Sequence, residues 1–293
     1  MNTTLEIVRV SPSLRTLLIL GRVSNLPTVW SNCLAGWVIS GGGPLYRFLL
    51  LCLGTTLLYV GGMFLNDAFD VDFDRQHRPE RPVPSGAISL QAVWRWGFWW
   101  LVAGILCLSS LGQAPLVLAL LLALFIILYD AIHKMFVLAP FIMALCRFLL
   151  VLVASAAAEK DITGLSVWTA LVLAAYILGL SFLARKEAAP GPLQYWPCVL
   201  LAAPVVLALV VNPGSNLTRG ILLSVVYLLW VVRSLRFTYW SSQINIGRSV
   251  SSLLAGIVLV DLLSTGGVTG MQVVTFSLLF FMALVFQRFV PAT

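Results

Sequence analysis

Ten apolar runs, each of about 16–20 residues, follow one another along almost the whole chain, and a run of that length is what a helix needs to cross a bilayer. They cover 24–42, 46–66, 90–111, 115–130, 137–157, 165–184, 194–211, 219–237, 248–264 and 271–290. Glycine and proline interrupt several of them, which membrane helices tolerate because neighbouring groups re-satisfy the freed backbone. Hydrophobic residues make up 60% of the chain and charged residues 10%, and the mean hydropathy is +0.99. A soluble domain of this composition would expose large apolar patches and aggregate. The pattern therefore predicts an all-α polytopic membrane protein. It excludes a soluble enzyme on an anchor, since no polar stretch is long enough for one, and it excludes disorder.

The net charge of +7 does not point to nucleic acid, because the cations sit between the apolar runs. One set of connections holds Arg22, Arg75, Arg78, Arg81, Lys134, Arg185, Lys186, Arg233, Arg236 and Arg248; the other holds only Arg47, Lys160 and Arg219. The positive-inside rule puts the first set, and with ten spans both termini, in the cytoplasm. Residues 1–293 are expected to form one transmembrane domain. Residues 1–22 carry Arg9 and Arg15 without an apolar core of signal-peptide length, and read as an interfacial leader. The cysteines lie singly in apolar runs, with no C-x-x-C spacing, and read as small buried hydrophobes.

Acids are scarce, yet four lie close together in Asn66-Asp67-Ala68-Phe69-Asp70-Val71-Asp72-Phe73-Asp74, at the end of the second run. If the helix continues through them, Asn66, Asp70 and Asp74 fall within about 80° of one another at the helical period. Asp67 shares that face and Asp72 points away. Such a row repels itself unless something positive binds, and Mg²⁺ takes carboxylate oxygens while sharing its other positions with phosphates. A solvated helix end neutralised by nearby arginines is the simpler alternative, but ionisable groups at membrane depth are costly and usually functional. The following segment, from Arg75 through Arg78-Pro79-Glu80-Arg81-Pro82-Val83-Pro84-Ser85-Gly86, ends the helix in a stiff loop. Its arginines can chelate phosphate oxygens, or can serve topology alone. His77 reads as a polar loop residue.

The pair N-D-x-x-D-x-x-x-D at 66–74 and R-P-x-P-S-G at 81–86 resembles the UbiA superfamily of intramembrane prenyltransferases. The resemblance extends to Arg22-Val23-Ser24-Asn25-Leu26-Pro27, where a basic residue and an Asn face the family's cavity. It extends also to Tyr129-Asp130-x-x-x-Lys134, whose Tyr and Lys reach the diphosphate. It implies a bundle of nine to ten helices around a central cavity open to lipid, the run at 271–290 being the tenth. It also implies Mg²⁺-dependent binding of a prenyl diphosphate, ionisation to an allylic cation, and capture by a lipophilic, aromatic acceptor.

The family's second acidic motif is altered: Ser181-Phe182-Leu183-Ala184-Arg185-Lys186-Glu187 keeps one acid, Glu187, beside two cations. That change, with Leu145-Cys146-Arg147-Phe148, resembles the EboC-like branch found in bacterial gene clusters and implies a bacterial inner membrane. The expected metal set is Asn66, Asp67, Asp70, Asp74 and Glu187. The expected diphosphate set is Arg22, Asn25, Arg75, Arg81, Tyr129, Lys134, Arg185 and Lys186. Asp70, Asp74 and Lys134 are expected to carry the catalysis. A terpene cyclase of the same family and a non-catalytic isoprenoid carrier are the alternatives.

Four features stay open. Arg147 is a charge in mid-span that needs a partner or a wet cavity. Asp130 reads as a supporting group, pairing with Lys134, and Asp261 has no evident role. Trp94, Trp96, Trp99 and Trp100 read as an interfacial belt or as ring faces for a carbocation.

Overall fold

A computed structural model describes residues 12–188, 192–266 and 269–292, apart from the side chains of residues 187, 188 and 215. Every regular element among them is helical. A short helix α1 (Leu14–Leu20) starts on Ser13, whose hydroxyl accepts the Thr16 amide. Then come α2 (Leu26–Ile39), α3 (Leu45–Phe69), α4 (Val71–His77), α5 (Leu90–Ser109), α6 (Gln113–Ile132), α7 (Ala139–Ala157) and α8 (Gly164–Ala188). The remainder is α9 (Trp196–Leu200), α10 (Ala203–Val211), α11 (Leu217–Tyr239), α12 (Ile246–Ser264) and α13 (Gly270–Phe286).

Each apolar run coincides with a helix or, in one case, a pair. The run at 194–211 is split into α9 and α10, because the Pro204 ring sits in the first turn of α10 and cannot continue the helix before it. Among the described residues, seven helices, α3, α5, α6, α7, α8, α11 and α12, are long and apolar enough to cross a membrane. Helices α2 and α13 are shorter than the runs that announced them, and α9 and α10 together make one short apolar column. Starts are set locally: Ser89 and Asn245 accept the amides of Ala92 and Arg248, and Thr269 with Gln272 forms a capping box at α13.

Helix α7 lies at the centre. One of its faces puts Ala144, Val151 and Leu152 into a core with α8, α11 and α12. The other puts Leu149, Leu150, Val153 and Ala154 into a core with α2, α3, α5 and α6. A helix apolar on two faces is the expected inner column of a bundle. Helices α3 and α5 cross closely through glycines. A methyl carbon at Gly61 would come within 2.9 Å of the Gly97 carbonyl, and one at Gly104 within 2.8 Å of the Gly54 carbonyl. Small residues allow this backbone approach in a membrane, where dispersion rather than the hydrophobic effect drives association.

The part of the expected leader at residues 1–11 lies outside the described residues. Within α1, Leu20 is buried against Phe64, Ala68 and Val71. Val83 and Ile88 join the same cluster and draw the proline-rich loop over the end of α3. Of the α5 tryptophans, Trp96 and Trp99 are exposed and Trp96 stacks on Trp100, while Trp94 is half-buried with its ring edge-on to Phe69.

Candidate active site

The acid row forms as the helical period requires. Helix α3 gives way to α4 at Asp70, but the backbone stays helical there, with Asp70 N–H on the Asn66 carbonyl and Asp74 N–H on the Asp70 carbonyl. Asn66, Asp67, Asp70 and Asp74 are all buried on one face, while the Asp72 side chain is 86% exposed on the other.

Three cations from three parts of the chain meet this row. Arg22 donates to Asn66 Oδ1 at 2.9 Å and to Asp67 Oδ1 at 3.2 Å. Its backbone is left-handed, with φ 40°, a region that costs energy for any side chain larger than hydrogen and that recurs at functional positions. Arg81, from the proline-rich loop, donates to Asp74 Oδ2 at 2.9 Å and reaches Asp67 Oδ1 at 3.4 Å. Lys134 places Nζ 2.7 Å from Asp70 Oδ1 and 3.8 Å from the centre of the Phe73 ring. His133 Nε2 lies 3.4 Å from the same oxygen. Burial alone would raise the Asp70 pKa, but hydrogen bonds and charge from His133 and Lys134 outweigh it and hold the carboxyl below the usual aspartate value.

Asp130 does not pair with Lys134, as the sequence suggested. It accepts from Asn66 Nδ2 at 3.0 Å, because it lies on the buried side of α6 while Lys134 follows the helix end and turns to Asp70. Asn66 is thereby fixed between α6 and the α1–α2 connection, with its amide on Asp130 and its carbonyl on Arg22.

Other expected site residues lie apart. Arg75 is exposed and pairs with Asp72 on the outer face of α4, away from the buried acids. Asn25 donates to the Ala292 carbonyl at 2.9 Å, while its Oδ1 is buried without a partner. Arg185 donates to the Phe136 and Val137 carbonyls, so it clasps the connection after α6. Lys186 lies beside it on a separate hollow with Gln194 and Tyr239. The side chain of Glu187 lies outside the described residues. Tyr129 stacks on His133 and borders the central cavity. His133 was missed by sequence reasoning; its neighbour Lys134 was the available signal.

Two spaces adjoin the row, one at Asp67 and the other at Asp130, which accepts from Asn66. The first is a polar hollow bordered by Arg15, Arg22, Arg78, Arg81 and Asp67. The other is a cavity of about 90 Å³ between α2, α3, α6 and α7, bordered mainly by apolar groups such as Leu58, Met63, Leu122 and Ile126. Tyr129 and Asp130 stand where the row meets this cavity.

The row offers hard oxygen donors of the type that magnesium takes. One of them, Asp74 Oδ1, is buried without a hydrogen-bond partner, as is Asp130 Oδ2. Among the described residues no three acidic, histidine or cysteine groups already converge on one point. Asp67, Asp70 and Asp74 each face a protein cation instead. The donor chemistry fits a divalent ion.

The model of the UbiA prenyltransferase family matches residues 25–245. A digeranylgeranylglyceryl phosphate synthase of Methanothrix thermoacetophila is 36% identical over 118 residues, which are 40% of this chain and 44% of that protein. The chain thus spans less than half the length of the curated relatives it matches. Two solved structures share the fold. A UbiA homologue from Aeropyrum pernix in its apo form superposes with a TM-score of 0.65 at 16% identity, covering 83% of this chain and 96% of that one. A UbiA homologue from Archaeoglobus fulgidus bound to GPP and Mg²⁺ superposes with a TM-score of 0.51 at 15% identity, covering 94% and 97%.

Proposed function

We propose that this chain, which belongs to the UbiA prenyltransferase family, transfers an isoprenoid group from a prenyl diphosphate to a lipophilic, aromatic acceptor within the membrane. The observation that carries this reading is the buried row of Asp67, Asp70 and Asp74, capped by Arg22, Arg81 and Lys134, adjoining a basic hollow and an apolar cavity. A diphosphate joined to a hydrocarbon chain has those two halves in that order.

Asp70 and Asp74, with Asn66 and Asp67, would hold a magnesium ion, the ion that the Archaeoglobus fulgidus homologue binds together with GPP. When bound, the ion neutralises diphosphate oxygens as a Lewis acid. The chain's own groups do the rest. Arg81 and Arg22 present planar forks to phosphate oxygens, and Lys134 presents a point charge. Negative charge grows on the diphosphate as its bond to carbon breaks, so cations fixed beside it stabilise the transition state more than the ground state. The apolar cavity keeps water from an allylic cation. Lys134 and Arg81, paired with Asp70 and Asp74 in this structure, would turn to phosphate oxygens when a diphosphate binds. The basic connections favour a cytoplasmic rim.

The test is diphosphate release by the purified protein in nanodiscs, given Mg²⁺, prenyl diphosphates of several lengths and a panel of phenols and quinols. Mass spectrometry of the organic phase reads the product. The expected result is acceptor-dependent release that Asp70→Ala abolishes. Release without acceptor, with a cyclised product, would replace transfer by cyclisation. Silence with every donor and acceptor would remove catalysis and leave a carrier.

A further inference from the structure

Arg147 carries a permanent charge in the middle of α7, and the diphosphate machinery does not touch it. Its Nη1 donates to Asn32 Oδ1 at 2.7 Å and its Nη2 to Thr28 Oγ1 at 3.2 Å, both on α2. Asn32 in turn donates from Nδ2 to Asp261 Oδ2 on α12 at 2.7 Å, and the Ser31 hydroxyl donates to the same oxygen. Asp261, buried in an apolar run, therefore has a place: it orients the amide that orients the arginine. Among the described residues Arg147 has no carboxylate ion-pair partner, and its remaining N–H groups have no acceptor.

A purely structural arginine at this depth would close directly on Asp261, since an unpaired cation in a membrane is costly. Here two neutral side chains grip the fork instead, and the guanidinium borders the central cavity. The same cavity carries a second unmet group, the buried Asp130 Oδ2. The hydrocarbon tail of a prenyl donor has no polar atom to offer either of them. A planar fork pairs best with a planar oxyanion.

We propose that Arg147 receives an oxygen anion on the acceptor (a carboxylate, or an ionised phenol or enol, of a planar lipophilic molecule) and that Thr28, Asn32 and Asp261 hold the fork in place for it. This assignment rests on the transfer reading, because it takes the Arg147 wall of that cavity as the place where the acceptor meets the donor's chain. Binding there orients the ring and keeps electron density on it; no bond is made or broken at Arg147.

The test compares 2-naphthoate with 2-naphthamide, which keeps the ring but not the charge, binding to the protein in nanodiscs. Geranyl diphosphate with Mg²⁺ is measured in parallel. The acid is expected to bind at least about tenfold tighter than the amide to the native protein, the scale of a charge-assisted pair. Arg147→Gln should erase that preference and Arg147→Lys restore part of it, both leaving geranyl diphosphate binding within about twofold, because its charged head is held at the acid row, which Arg147 does not touch. Should Arg147→Gln fail to fold, Asn32→Asp replaces it: a carboxylate set against the guanidinium should also erase the preference. Equal affinity for acid and amide in the native protein, or a preference that survives both substitutions, overturns the assignment. If naphthoate selectivity holds while geranyl diphosphate does not bind, the anion site stands and the transfer reading falls.

Discussion

Lys134 Nζ lies 2.7 Å from Asp70 Oδ1, joining the end of α6 to the junction of α3 and α4 across the rim of the cavity. Because Lys134 and His133 hold the Asp70 pKa below its ordinary value, the pair stabilises the fold fully above the unfolded carboxylate value of about 3.9. That contribution fades as pH falls through the lower, folded value. Lys134→Met should therefore lower the melting temperature most near neutral pH, with the deficit shrinking on acidification. Thermal unfolding of both proteins across that range measures it, and a deficit that grows on acidification would contradict the pairing.

Lys134→Met should also slow turnover by about 10²–10³-fold, the usual loss when one charge-stabilising donor is removed from an active site. Chelation of divalent ions should abolish turnover, and added Mg²⁺ should restore it. Diphosphate release under saturating donor reads both. Full activity in excess chelator would remove the ion from the mechanism.

Arg81 and Asp74 form a buried pair, and Asp74 Oδ1 already lacks a partner. Removing the cation alone leaves a buried carboxylate with nothing on either oxygen. Arg81→Met should cost about 3 kcal/mol, as breaking one side of a buried pair does. The double substitution with Asp74→Asn should recover part of the loss, and denaturant unfolding of the single and double variants measures the coupling. Additive losses would show that the two residues act apart.

Arg75 offers the control within the same motif. It is 59% exposed and pairs with Asp72 outside the row, so Arg75→Gln should change turnover by less than about twofold. A loss comparable to that of Lys134→Met would place Arg75 on the ligand after all.

The crossing of α3 and α5 tolerates no side chain at Gly61 or Gly104, because the neighbouring atom is a backbone carbonyl that cannot step aside. Gly104→Val should destabilise by about 1–3 kcal/mol through overpacking. Thermal unfolding checks this, and an unchanged transition would mean that the helices can move apart at no cost.

The sequence by itself determined what depends on near neighbours. Run length and composition decide membrane helices, because a bilayer accepts only backbones that satisfy themselves. The helical period decides that Asn66, Asp67, Asp70 and Asp74 share a face and that Asp72 does not, and the structure keeps that face intact. Tertiary structure alone decided who meets whom. Arg22 and Asn66 are 44 positions apart, and Asn66 and Asp130 are 64 apart. No period within one helix sets the rotation and depth of another, so the pairing of Lys134 with Asp70 rather than Asp130 had to await the packing of α6 on α3. The same holds for Arg147, Asn32 and Asp261, three polar residues on three helices, each unexplained alone. Their relation exists only because α2 lies between α7 and α12, where an unpaired polar group in an apolar core would be too costly to keep.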